Sequence, residues 1–235
     1  IVRTKAADVK RRKKLNDWYN KLDLDGKAVF QNLFCKILRN KNVQIQPGYW
    51  DVYFRGKKIQ MPLRNVACWL DWDNALSVLG HDPDVKETYE NLLSTSSIKV
   101  FFDIGANYGT HSLLFLTQGV QTISFEPNHS LNSHFGLLCR ANSVMGKMEN
   151  VAVGEKQGIA KLQFPEDATW LGTIVESEAT ALEQAHRLAS IEVPLITLDQ
   201  YVLEKKLEPD LIKIDTEGNE INVLAGAKNL LLGKK

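Results

Sequence analysis

Two hydrophobic rhythms divide the chain near Ser97. Before it the pattern is mixed. Val29, Leu33, Phe34, Ile37 and Leu38 recur at helical spacing and predict a helix over Lys27–Leu38. Tyr49, Trp50, Val52, Tyr53 and Phe54 are strand formers, Arg55-Gly56-Lys57 supplies a turn, and Lys58 to Met61 returns, which reads as a hairpin. Asp82-Pro83-Asp84 then opens a helix through Tyr89 to Leu93, with Pro83 suited to its first turn. From Ile98 the pattern becomes regular. It predicts a buried strand over Ile98–Ile104, a glycine turn from Gly105 to Gly109, and a helix over Thr110–Gln118. A second strand over Gln121–Phe125 is followed by a helix over Leu131–Val144 and a third strand near Met148–Val153. Leu211–Ile214 is a further strand, and a last helix covers Glu220–Leu232. Gly158 to Ile196 interrupts the alternation, with strands around Ala160–Phe164 and Ile191–Leu195 and a helix through Ser177–Leu188.

Strands alternating with helices of this length predict a parallel sheet with right-handed crossovers. The expected organisation is a Rossmann-like α/β domain over 98–235, with a helix-and-hairpin extension over 1–97 as an acceptor-side cap. A length of 235 residues suits one such domain with an appendage. With 44% hydrophobic and 24% charged residues, the composition is that of an ordinary globular protein. No run is apolar enough to predict a membrane span, and Ile1 to Leu15 lacks the apolar centre of a signal peptide. Cys35, Cys68 and Cys139 are odd in number and widely spaced, neither a disulfide framework nor a metal-ligand set. A reducing, cytoplasmic setting is the expectation. A start at Ile1 suggests a piece of a longer, multidomain chain. The net charge of +1 gives no general pull toward nucleic acid or anionic membranes. One local exception, Lys10 to Lys14, reads as the solvated face of an N-terminal helix, with a phosphate or lipid patch as the alternative.

The chemistry is expected at the carboxyl ends of the parallel strands, where ligands of open α/β sheets bind. Three of those ends carry acidic groups: Asp103, Glu126 and Asp215. Asp103 opens the segment Asp103-Ile104-Gly105-Ala106-Asn107-Tyr108-Gly109, whose glycines permit a tight turn and close approach of a ligand. The helix after Gly109 points free N–H groups the same way. A dinucleotide site would need glycine where Asn107 stands and again near Thr110 or His111, and an acidic group before the turn sits poorly beside a pyrophosphate. Asp103 suits the ammonium of a methionine moiety, directly or through water. Glu126 suits a ribose diol, with helix capping as its plainer role. The arrangement favours S-adenosylmethionine over a nicotinamide cofactor. Asn142 and Asn150 are placed near the adenine end, though turn hydrogen bonding also accounts for them.

Taken together, Phe102 to Gly109, Phe125-Glu126-Pro127-Asn128, Asn150 to Gly154 and Asp210 to Gly218 resemble the FkbM family of methyltransferases, from Ile98 to the C-terminus. The resemblance implies a class I methyltransferase sheet, S-adenosylmethionine as cofactor, and methylation of hydroxyls on sugars, glycans or polyketides. It also implies strands beyond the last helix, so the sheet reads as incomplete, with its C-terminal strands missing. An alcohol nucleophile benefits from a general base, and Asp215 and Glu217, at the mouth of a central strand, are the candidates. Their alternative role is to brace their own loop. His111 is a further candidate, its alternative being structural. Lys213 either points away from Asp215 or braces a carboxylate there. Trp170 and Thr173 are candidates to cover the cofactor or acceptor, and Tyr49, Trp50, Trp69 and Trp72 to stack on a sugar. No metal-ligand cluster is read. The partner expected is a small-molecule or glycan acceptor, not nucleic acid. A nucleic-acid methyltransferase and a non-catalytic cofactor-binding domain remain as alternatives.

Overall fold

The computed structural model describes residues 5–38, 46–64, 68–166 and 170–233. They fall into two compact units, one drawn from Ile1–Ser97 with Leu137–Val144, the other from Ile98–Gly136 with Met145–Lys235.

The first unit contains α1 (Lys5–Tyr19), α2 (Leu24–Leu38), β1 (Gly48–Phe54), β2 (Lys57–Leu63), α3 (Cys68–Gly80) and α4 (Pro83–Thr95). β1 and β2 form the expected hairpin, with Val52 opposite Ile59. Its two turn residues, Arg55 and Gly56, both take positive φ, as a two-residue turn matching strand twist requires. Alternation sends Trp50, Val52 and Phe54 inward, where Tyr19, Phe30, Phe34, Trp50 and Trp72 form an aromatic cluster with ring centroids 5.0–5.4 Å apart. Trp50 and Trp72 are therefore core and not sugar platforms, whereas Tyr49 is half-exposed. The side chain of Trp69 lies outside the described residues. α3 was not anticipated. It buries Asp71 and Asn74 among its apolar residues, which hides the periodicity, and Arg64 neutralises Asp71 at 2.7 Å. Asn142 exchanges two hydrogen bonds with the backbone of Gln60, at 2.7 and 3.0 Å. This strand-clasping role is the hydrogen-bonding alternative read for it.

In the second unit β3 (Val100–Ile104), β4 (Gln121–Phe125), β5 (Lys147–Glu149) and β9 (Leu211–Ile214) make a parallel sheet in the order β5-β4-β3-β9. α5 (Thr110–Thr117) links β3 to β4, and α6 (Asn132–Ala141) follows β4. β3 and β4 are short apolar runs buried on both faces, as parallel strands under helices must be. Phe102, Ile104, Ile123 and Phe125 pack on one face against Leu198 and Tyr201 of α8 (Leu198–Lys205) and Val223 of α9 (Glu220–Ala225). On the other face Phe101 stacks on Phe115 of α5 at 3.9 Å.

The expected third strand is two strands. β5 ends at Glu149, and β6 (Ala152–Val153) joins a second sheet, pairing with β8 (Leu188–Ile196), which also pairs with β7 (Gly158–Pro165). The helix between them, α7 (Glu176–Glu183), is shorter than expected because β8 begins early. The last helix breaks into α9 and α10 (Lys228–Gly233). Gly226 packs so closely on the Gly154 carbonyl that a Cβ would lie 1.9 Å from it, and Asp199 accepts N–H groups from the start of α10.

Candidate active site

Three strand ends meet around one buried ion cluster. Pairing sets Asp103 of β3 beside Lys213 of β9. The Lys213 ammonium lies 3.4 Å from Asp103 Oδ1 and 3.4 Å from Asp215 Oδ2, and it donates to the Gly105 carbonyl at 3.0 Å. Burial alone would lower the Lys213 pKa, but the Asp103 and Asp215 carboxylates outweigh it, so the pKa is raised and the side chain stays cationic. Of the two readings made for Lys213, it takes the bracing one.

Asp103 has no exposed surface. Its Oδ2 accepts from Ser112 N at 3.0 Å and Ser112 Oγ at 2.6 Å, and Ser112 Oγ is 2.7 Å from Ser124 Oγ. The carboxylate thus anchors the first turn of α5 and the Lys213 charge, turned inward with both its oxygens below the surface. Ser112, Ser124 and Lys213 are the residues that sequence reasoning underweighted. The available signal was polar groups inside an otherwise apolar strand and helix.

The glycine turn follows the sequence expectation in conformation, with a different cause. Gly105 and Gly109 have φ of +72° and +77°. A Cβ on Gly105 would lie 1.8 Å from the Asp215 carbonyl oxygen, and one on Gly109 would lie 2.2 Å from the Phe135 ring. The space is taken by protein neighbours, so these glycines bring the loops together before any ligand arrives. Asn107 also has positive φ, its N–H donates to Glu126 Oε2 at 2.9 Å, and its buried Oδ1 has no hydrogen-bond partner among the described residues.

Glu126 sits at the end of β4, almost fully buried, and Oε1 accepts from Asn128 N at 2.9 Å. Burial raises its pKa, opposed by those two N–H bonds and by Lys213. Each oxygen keeps a further acceptor position. Asn150 donates to the Glu126 carbonyl at 3.0 Å and pairs with the amide of Asn132. It holds the loop in which the chain leaves the main sheet.

Beyond β9, Glu220 does the bracing that had been the alternative role of Asp215 and Glu217. Its Oε1 accepts from Thr216 N at 2.7 Å, Thr216 Oγ1 at 3.0 Å and Gly218 N at 3.3 Å, and these bonds carry its pKa below the ordinary value against the effect of partial burial. Thr173, buried, donates to the Glu217 carbonyl at 2.9 Å from the interrupting segment. It fastens this loop and does not form an open cover. The Asp215 side chain is left 61% exposed. Glu217 is exposed too, with positive φ, and its pKa is raised by partial burial and by the Asp215 and Glu220 charges. His111, half-buried, is the second residue of α5. Trp170 is half-buried within that segment. Among the described residues no group of three or more His, Cys, Asp or Glu is placed to hold a metal ion, and no helix is long and apolar enough to cross a membrane.

In a comparison with known families, residues 103–234, more than half of the chain, match the methyltransferase FkbM domain. No curated protein and no solved structure matches the chain.

Proposed function

The chain belongs to the FkbM methyltransferase domain family, and on that premise we propose that it is an S-adenosylmethionine-dependent O-methyltransferase acting on a hydroxyl of a sugar, glycan or polyketide-type acceptor. The observation that carries the cofactor reading is the joint of β3 and β4. There Glu126 keeps two acceptor positions beside a glycine turn, and Asn107 Oδ1 is buried without a donor among the described residues. A ribose diol and a polar donor fit those acceptors. A pyrophosphate would meet carboxylate oxygen instead, and repulsion disfavours it. Glu126, Asn107 and the turn from Gly105 to Gly109 would hold the cofactor, with Asp103 and Lys213 fixing the turn from beneath.

When bound, S-adenosylmethionine supplies a methyl group on a cationic sulfur that leaves without acid assistance. The chain's own task is to align the acceptor and to take its hydroxyl proton. Asp215 and Glu217 stand next to the Gly105 turn, and neither is consumed in bracing its loop. A carboxylate whose pKa is raised is a stronger base, which favours Glu217 for the proton. Lys213 orients Asp215, which then suits acceptor positioning. In this reading the chemistry belongs to the second unit and acceptor recognition to the first.

Calorimetry with S-adenosylhomocysteine and NADH tests the cofactor reading. The parent should bind the former only, and Glu126→Ala should weaken binding about 10- to 100-fold, as loss of charged hydrogen bonds implies. Tight NADH binding would end it. Intact-mass screening of saccharide and polyketide acceptors with labelled S-adenosylmethionine tests the transfer.

A further inference from the structure

The methyltransferase reading leaves unused the basic run of α1 and an inverted pattern in α2. α2 buries Lys27 and Gln31 while Val29, Leu33 and Ile37 stay 59–60% exposed. These three recur every fourth residue, so they form one ridge along the helix. Burial of Lys27 is satisfied locally, since its ammonium donates to the Leu22 carbonyl and lies over the Tyr19 ring, 5.6 Å from its centroid. The ridge is therefore a feature of a well-ordered helix and not a misfit.

α1 touches α2 near its own C-terminal end. Trp18, 49% exposed, meets Phe30 edge-on at 5.6 Å, and Phe30 follows Val29 in the chain. Arg11, Lys14 and Trp18 lie three and four residues apart, on one helical face. Arg12 is turned inward to the Gln46 carbonyl, Lys13 pairs with Asp17 at 2.8 Å and Arg11 with Asp8 at 3.9 Å, and Lys10, Arg11 and Lys14 are exposed. An aliphatic ridge, an interfacial tryptophan and exposed cations thus adjoin within one unit.

We propose that this α1–α2 surface binds anionic lipid membranes peripherally, the ridge and Trp18 entering the headgroup boundary and Lys10, Arg11 and Lys14 meeting lipid phosphates. The composition is that of an interfacial helix, apolar and aromatic on one side with Lys and Arg beside it. Two other occupants fit less well. In a symmetric contact between two copies the same patch meets itself, which sets the cations of one against those of the other. A nucleic acid would use the cations but leaves Val29, Leu33 and Ile37 with nothing to bury against. The surface lies wholly in the first unit, so the inference does not depend on the chemistry proposed for the second.

Sedimentation of the full chain with vesicles tests it. Vesicles of phosphatidylcholine with phosphatidylserine should pull the protein down, and phosphatidylcholine alone should not. Each basic residue near such a surface contributes about fivefold in affinity, so Arg11→Gln/Lys14→Gln should lose roughly 25-fold. Leu33→Ser/Ile37→Ser should also lose binding while keeping the parent circular dichroism; if it does not keep that spectrum, Trp18→Ala gives the same reading. Four results would overturn the proposal. The parent ignores phosphatidylserine; the apolar variants bind like the parent; the parent is a dimer that the apolar variants dissociate; or polyuridylate binds parent and apolar variants equally and displaces the vesicles.

Discussion

Removing the Lys213 ammonium offers the sharpest test of how the site is built. Lys213→Met keeps the apolar stem and deletes the charge. Asp103, with no exposed surface, then retains only its two bonds from Ser112. Breaking a buried pair from one side typically costs about 3–5 kcal/mol, because an uncompensated charge stays in the interior. For a chain of this size each kcal/mol moves the melting midpoint by roughly 2–4 °C, so a fall of about 6–20 °C is expected. The same substitution frees the Gly105 carbonyl of the turn, so S-adenosylhomocysteine affinity should fall as well. Asp103→Asn/Lys213→Met removes both charges while the asparagine still accepts from Ser112. It should recover most of the lost stability, since neutral replacements of buried pairs are often tolerated. It should not recover turnover, which needs Asp215 held. Scanning calorimetry with binding titrations decides the matter. A single mutant that melts within about a degree of the parent, or a double mutant as unstable as the single, would refute this account of the cluster.

Gly105→Ala should cost about 1–3 kcal/mol for its left-handed backbone, with the collision against the Asp215 carbonyl added, and should abolish cofactor binding in a titration. Asp215→Ala and Glu217→Ala should each leave S-adenosylhomocysteine affinity near the parent value, while the one serving as base should lose about 100- to 10,000-fold in turnover. Full activity in both would move the base to His111 or remove the need for one. Glu220→Gln tests the loop brace through pH. The depressed pKa of Glu220 means its contribution is present above the ordinary value near 4.5 and is lost as pH falls through the folded value. The variant should therefore be about 1 kcal/mol less stable at neutral pH, after discounting for solvent screening. In urea titrations it should converge with the parent in acid, and a gap that persists there would contradict the role.

The parallel strands were legible because Val100–Ile104, Gln121–Phe125 and Leu211–Ile214 are short strand-forming runs closed by acidic turns, and the first two are buried almost throughout. The split of Met148–Val153 was not, since nothing local distinguishes a strand that stays in its sheet from one that crosses to another. That distinction lies in the tertiary tie of Asn150 to Asn132 and Glu126. At the site the acidic strand ends were legible as a cluster, whereas their division of structural labour was not. Asp103 turned out to be the inward anchor, and Glu220, not Asp215 or Glu217, the loop brace. Glu220 follows Thr216 by four residues and escapes the three-residue spacing that marks a capping box. Hydrogen-bond direction decides such roles, and sequence spacing does not encode it.

The approach of the Asp215 carbonyl to Gly105 has a consequence for how this scaffold can change. With no room even for one methyl group between them, the glycine turn and the loop carrying Asp215 and Glu217 behave as a single mechanical part. On the proposed function, shifting that loop to admit a bulkier acceptor would drag the cofactor-binding turn along and spoil a function that must be kept. Selection for new acceptors, natural or in a directed library, is thus steered off the strand ends. It is steered onto segments that touch the loop at one point, such as the stretch around Thr173. A library built there should yield altered acceptor range with donor affinity intact, whereas the same diversity placed at 105 or 215–216 should yield mostly dead clones.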